Sequence, residues 1–262
     1  MPHLLGAPAR AIVAAVKAKV FLMKGVLDEM MHEAVLFDMD GVIVDTYHSV
    51  TALWRQLARE HDVHLTQEDF VQHVYGRTSE YTLGSLFPHL TEQQRQAILA
   101  EIDAGESIER YQEVPGVTTV LRLLKSYGVP TALVTSGTKA KVRAVLQQLA
   151  IDDCFTTQVT AEDIRHGKPD PECYLRASQA LQKPPHACVV FEDAISGVKA
   201  AVAAGALCIG IQSPYNAVPL LEVGAQAVVP DFMAIRFEVV SPGELVVSLQ
   251  GDLAFKVSLY FI

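Results

Sequence analysis

Val35-Leu36-Phe37-Asp38-Met39-Asp40-Gly41-Val42-Ile43-Val44-Asp45-Thr46 is the stretch from which the fold can be read. The apolar run Ala34–Phe37 is too short for a helix of its own and shows no polar alternation, so it predicts a strand buried on both faces of a parallel sheet. Asp38 and Asp40 follow at its carboxyl end, where open α/β sheets bind their ligands. Alternation along an extended chain aims both to the same side, and Gly41 lets the backbone turn sharply just after them. Two carboxylates this close repel each other unless positive charge lies beside them. A hard divalent cation such as Mg2+, which prefers oxygen ligands, answers that need. Aspartates that merely cap a turn would read the same way, so the rest of the chain has to decide.

The chain has 262 residues, half of them apolar, which is enough for one or two domains with a sizeable core. Its formal net charge is −9 and its lysines and arginines are spread out, which argues against a nucleic-acid partner. Cys154, Cys173, Cys188 and Cys208 lack the paired short spacing of a zinc site and read as small buried hydrophobes in a reducing cytoplasm. No run reaches the roughly 18 uninterrupted apolar residues of a membrane span. Residues 1–32 form an N-terminal extension in which 11–27 could be a helix. Lys17, Lys19 and Lys24 interrupt its apolar run, which does not fit a signal peptide.

After Thr46 the periodicity becomes helical. Val50, Leu53, Trp54 and Leu57 share one helix face, Thr66-x-x-Asp69 has the form of a capping box, and Thr91-Glu92 opens a further helix. Residues 48–112 therefore read as an all-helical insert between two α/β segments, 33–47 and 113–236. From Pro115 onward, helices and short apolar runs alternate, with strands expected at 131–134, 157–160, 188–191, 207–211 and 227–229. Such alternation implies a parallel sheet with helices on both faces. The tail, 237–262, is rich in Val and Leu, has turn signals at Ser241-Pro242-Gly243 and Gly251-Asp252, and reads as two or three short antiparallel strands.

Three more strand ends carry polar residues. Thr135-Ser136-Gly137 offers a hydroxyl and exposed N–H groups at a strand-to-helix turn, which suits a phosphate and equally suits an ordinary helix cap. Lys168 lies between Gly167 and Pro169, before a helix whose first turn can hold Pro171. Glu192-Asp193 adds two acids that, facing Asp38 and Asp40, would complete an oxygen cage for Mg2+. A carboxylate nucleophile, a second carboxyl group, a hydroxyl, a lysine and an acidic metal pair make up the kit for phosphoryl transfer through an aspartyl-phosphate.

Over residues 33–232 the sequence resembles the haloacid dehalogenase superfamily. Asp38-x-Asp40-Gly41 resembles its first motif, Thr135 the second, Lys168 the third and Glu192-Asp193 the fourth, in order. The resemblance implies a Rossmann-like core, a helical cap in the position of 48–112, and Mg2+ held by Asp38, Asp40 through its main-chain carbonyl, Glu192 and Asp193. It implies Asp38 as nucleophile, Asp40 as acid and base, and Thr135, Ser136, Gly137 and Lys168 around the phosphoryl group. Arg77, in the loop 76–79, reads equally as a contact to the leaving group and as a solvated arginine. The expected activity is a phosphatase of small sugar or polyol phosphates, working in the cytoplasm as a monomer or weak homodimer without a nucleic-acid or membrane partner. A β-phosphoglucomutase-like enzyme is the closest alternative. In that pattern an arginine stands three residues after the cap-loop glycine and a Lys-Asn pair follows the second motif, whereas here the positions hold Ser79 and Thr138-Lys139. A binding module that has lost its chemistry is a further alternative.

Overall fold

The computed structural model of the chain describes residues 31–211, 217–249 and 254–259. The expected helix over 11–27 and the turn at Gly251-Asp252 lie outside the described residues. The described chain opens with two short strands, β1 (Met31–His32) and β2 (Ala34–Phe37). Four helices follow: α1 (Tyr47–Glu60), α2 (Gln67–Asp69), which runs on as a wider turn through Phe70–Val74, α3 (Ser79–Leu86) and α4 (Glu92–Ile108). The Thr66 capping box closes in both directions, with Thr66 Oγ1 accepting from the Asp69 N–H and the Asp69 carboxylate accepting from the Thr66 N–H.

The alternating part then runs α5 (Val117–Ser126), β3 (Thr131–Val134), α6 (Lys139–Leu149), β4 (Thr157–Val159), α7 (Glu172–Ala180), β5 (Cys188–Glu192), α8 (Ile195–Ala204), β6 (Leu207–Ile211), α9 (Ala217–Glu222) and β7 (Ala227–Val229). Its six strands form one parallel sheet in the order β4-β3-β2-β5-β6-β7. β2 sits in the middle, with Leu36 opposite Ala132 on one side and Val190 on the other. The chain leaves β2 toward β3 and β4, then returns to add β5 on the far side. The order therefore reverses beside β2, and a crevice opens there at the carboxyl ends of the strands.

The sheet is buried on both faces because each strand supplies both. Val35 and Phe37 join one core cluster and Ala34 and Leu36 the other, as the two-residue period of a strand requires. Phe37 stacks on Phe191 with ring centroids 5.3 Å apart, and Phe232 closes on both. Each such phenylalanine contributes about 1.5–3 kcal/mol by leaving water. The helical insert has a core of its own, built on Trp54, Phe70, Leu83, Phe87 and Ile98. Its two connections to the sheet are tied together where the Asp45 N–H donates to Gln112 O at 2.9 Å and the Val114 N–H to Ile43 O at 2.9 Å.

A second sheet follows, formed by β8 (Arg236–Ser241), β9 (Glu244–Ser248) and β10 (Ala254–Ser258) as antiparallel neighbours. The sequence reading grouped Met31 and His32 with the extension. In the structure they form β1 and pair in parallel with β10, Met31 opposite Lys256 and His32 opposite Val257. A two-residue strand has no period to read. Leu245, Val247, Phe255 and Val257 enter the same core cluster as Phe37 and Phe191. Among the described residues, no helix is long and apolar enough to cross a membrane.

Candidate active site

Asp38 leaves β2 directly over the crevice. Its N–H still donates to Phe191 O at 3.0 Å, continuing the ladder, and its side chain is buried. The next residues fold back on Met39, whose carbonyl accepts from the N–H groups of Ile43 at 2.8 Å and Val44 at 3.0 Å. Gly41 makes that turn with φ +79°, and a Cβ there would fall 2.0 Å from Asp193 Oδ2. A side chain at this position would displace Asp193.

Lys168 is buried between two acids. Its Nζ lies 2.5 Å from Asp38 Oδ1 and 2.6 Å from Glu192 Oε1. Burial pulls its pKa down, but the charges of Asp38 and Glu192 more than reverse this and leave it raised. Glu192 ends β5 with both oxygens satisfied. Oε1 also accepts from the Tyr174 hydroxyl at 2.7 Å, and Oε2 from the N–H groups of Asp193 at 3.0 Å and Ala194 at 3.2 Å. Helix α8 can pass this close because it carries Gly197, where a Cβ would sit 1.7 Å from Glu192 Oε1.

Asp38, Glu192 and Asp193 each bring a carboxylate oxygen into one cluster whose members all lie within 4.8 Å of one another. Burial raises the Asp38 pKa to about 8 against the pull of Lys168, and burial together with the charge of Glu192 raises that of Asp193. One lysine among three packed acids leaves the group under-neutralised. The Asp193 carboxylate accepts no hydrogen bond among the described residues. A hard divalent cation fits this donor set. Glu192, held by four donors, fits as the anchor of Lys168 more closely than as a direct ligand.

The carboxylate of Asp40, whose main-chain carbonyl rather than its side chain the resemblance offers to the metal, is not part of that trio. Its Oδ1 accepts from Thr46 Oγ1 at 2.7 Å and from Lys141 Nζ at 2.8 Å. Lys141, on α6, also reaches Glu106 Oε1 on α4 at 2.9 Å. Burial opposes its charge, yet Asp40 and Glu106 hold its pKa raised, while burial raises that of Glu106.

Thr135 ends β3. Its N–H donates to Val159 O, and its hydroxyl accepts from the Gly137 N–H at 2.9 Å. Ser136 faces the insert, donating to Gly76 O at 3.0 Å, and Ser196 donates to Tyr75 O at 3.1 Å. Two core serines thus pin the turn at the mouth of the crevice. Arg77 follows that turn. Its guanidinium donates to the main-chain oxygen of Lys168 and, at 3.1 Å, to Gln72 O, and it lies 4.5 Å over the Tyr81 ring. Between core and insert lies a cavity of about 550 Å³, lined by Asp38, Asp40, Thr135 and Asp193 from the core and by Trp54 and Arg77 from the insert.

The sequence reading missed Thr46, Glu106, Lys141 and Tyr174. Thr46 stood within the quoted stretch. Tyr174 and Lys141 carried the weak signal of polar residues on the inward faces of short helices. Glu106 had no signal among the acids of α4.

The profile of the haloacid dehalogenase-like hydrolases matches residues 32–205. Hexitol phosphatase A of Escherichia coli is 34% identical over 195 residues, covering 72% of this chain and 87% of its own. A phosphorylated carbohydrates phosphatase of Thermotoga maritima is 32% identical over 211 residues, covering 75% and 94%. Among solved structures, β-phosphoglucomutase from Clostridium difficile superposes with a TM-score of 0.62 at 26% identity, covering 77% of this chain and 92% of that one. With its motifs in order on the ends of a parallel sheet, and the family profile spanning most of that sheet, the chain belongs to the haloacid dehalogenase-like hydrolases.

Proposed function

We propose that the protein hydrolyses a small phosphate monoester of a sugar or polyol, with Asp38 as nucleophile. The observation that carries this reading is Lys168 Nζ 2.5 Å from Asp38 Oδ1, at the reversal point of the sheet, with Asp38 and Asp40 both lining the cavity. Asp38 attacks phosphorus and becomes phosphorylated as the alkoxide leaves. Asp40 protonates that alkoxide, then takes a proton from the water that cleaves the intermediate. Lys168, Thr135 and the N–H groups around Ser136 and Gly137 hold the phosphoryl oxygens and stabilise the charge that develops on them. Asp38, Asp193 and the main-chain carbonyl of Asp40 would hold Mg2+, which supplies charge neutralisation at the phosphoryl group. The helices of the insert act as a cap that keeps bulk water out.

The named relatives support a phosphorylated carbohydrate or hexitol as the substrate class. Two placements favour hydrolysis over mutase chemistry, which must grip a second phosphate. Lys139 Nζ is paired with Asp163 Oδ1 at 2.7 Å, and the Arg77 guanidinium is spent on the Lys168 carbonyl. Phosphate release from a panel of sugar and polyol phosphates with Mg2+ tests the reading, with Asp38→Asn as control. Activity that survives Asp38→Asn would overturn it. β-Glucose 1-phosphate with a trace of the 1,6-bisphosphate separates the two chemistries, since glucose 6-phosphate appearing faster than free phosphate would mean a mutase.

A further inference from the structure

Two lysines are almost fully buried among the described residues, Lys168 and Lys141. The chemistry above uses the first and leaves the second without a task. Lys141 sits where local preference opposes it. It is the third residue of α6, with its N–H capped by Thr138 Oγ1 at 3.4 Å, and the positive end of a helix disfavours a cation. Burial disfavours it again. A residue that breaks two local rules is held by its partners. Here these are Asp40 Oδ1 at 2.8 Å and Glu106 Oε1 at 2.9 Å. Gly137 makes room, since a Cβ there would lie 3.3 Å from Lys141 Cδ and 3.1 Å from Met39 Cε.

We propose that Lys141 is a positioning residue for Asp40, anchored in turn by Glu106 from the insert. The inference rests on the phosphatase reading. Lys141 and Thr46 fix Oδ1 of Asp40, and Oδ2, which accepts no hydrogen bond among the described residues, is left to meet the leaving oxygen. The competing reading is that the triad only pins α4 against α6.

The two readings differ in how they treat the leaving group. An alkoxide needs its proton from a well-placed acid, and p-nitrophenolate does not. Lys141→Met and Glu106→Gln are compared with wild type by kcat/KM, which reports the step that expels the leaving group, on p-nitrophenyl phosphate and on the alkyl phosphate the wild type turns over fastest. Far-UV circular dichroism establishes that each variant is folded. Lys141→Met should lose about tenfold more on the alkyl ester than on the aryl ester, and Glu106→Gln should shift the ratio the same way by less. Equal losses on both esters, or none, in a folded Lys141→Met protein overturn the inference. Should that variant not fold, Glu106→Gln decides alone, and an alkyl-to-aryl ratio equal to wild type sinks the idea. A wild type that hydrolyses neither ester overturns the phosphatase reading and this inference with it. Activity abolished by Asp38→Asn but indifferent to Lys141 overturns only the inference.

Discussion

Lys168 shows how much a single buried charge can hold together. Removing it in Lys168→Met leaves Asp38 and Glu192 facing each other without a cation, and breaking a buried pair in this way costs about 3–5 kcal/mol. We expect the variant to be inactive and to unfold at markedly lower urea concentration, and a denaturation midpoint equal to wild type would contradict the pairing. Gly41→Ala tests the turn beside it. The positive φ alone costs about 1–2 kcal/mol with a Cβ present. The new atom also displaces the Asp193 carboxylate, so the Mg2+ concentration for half-maximal activity should rise about 10- to 100-fold, in the manner of lost ligand support. An unchanged metal titration would argue against Asp193 as a ligand. At this scale the sequence was legible where chemistry follows a strand end. Asp38, Thr135 and Glu192 each terminate or follow a short apolar run, and Lys168 meets Asp38 and Glu192 from a loop between Gly167 and Pro169. What could not be read was which way side chains turn after the strand ends. Asp40 faces Lys141 and Thr46, and Arg77 folds over Tyr81 toward the Lys168 carbonyl, because each answers in part to a lysine far away in sequence.

Among the elements, β8 to β10 change most between sequence and structure in what they do. The expected strands carried no assigned task. Their inward residues prove to be part of the main core, with Phe255 and Val257 nearly free of solvent. Phe255→Ala should therefore cost about 3–5 kcal/mol, measurable by urea denaturation, and a loss under about 1 kcal/mol would mean that the sheet is peripheral. Deleting everything after residue 235 should yield insoluble protein rather than a core with less strand signal. A chain begun at Met30 keeps β1 and should stay soluble and active, whereas one begun at Ala34 loses the parallel partner of β10. The helices of the insert were legible because Thr66 and Thr91 announce their starts and Trp54 and Leu57 mark an inward face. Their contact with the core was not. Glu106 is one of several acids on α4, and nothing in the helix period marks it as the one that meets Lys141.

Taken whole, the molecule brings two cores and an acidic crevice together around one central strand. Metal removal acts at this scale. Protein treated with EDTA should lose turnover and regain it with Mg2+, and full activity without added metal would refute the donor set of Asp38 and Asp193. The parallel sheet was legible from strand–helix alternation alone, since helical crossovers between short apolar runs leave few other arrangements. The second sheet was legible as strands but not in its partner, because the pairing of β1 with β10 joins the two ends of the described chain. His32 Nδ1 lies 3.2 Å from Lys256 O, across 224 residues of sequence. That pairing sets a timetable for synthesis. A ribosome that has finished β7 must still make residues 230–258 before the second sheet can form. At roughly 5–20 residues per second this takes a few seconds. Through that interval the phenylalanine face of the central sheet has no cover from β9 and β10, so the nascent chain presents a greasy surface to the chaperones and proteases that patrol translation. Slowing the ribosome over the last codons would lengthen that exposure, and speeding it would shorten it, without altering one contact of the finished enzyme.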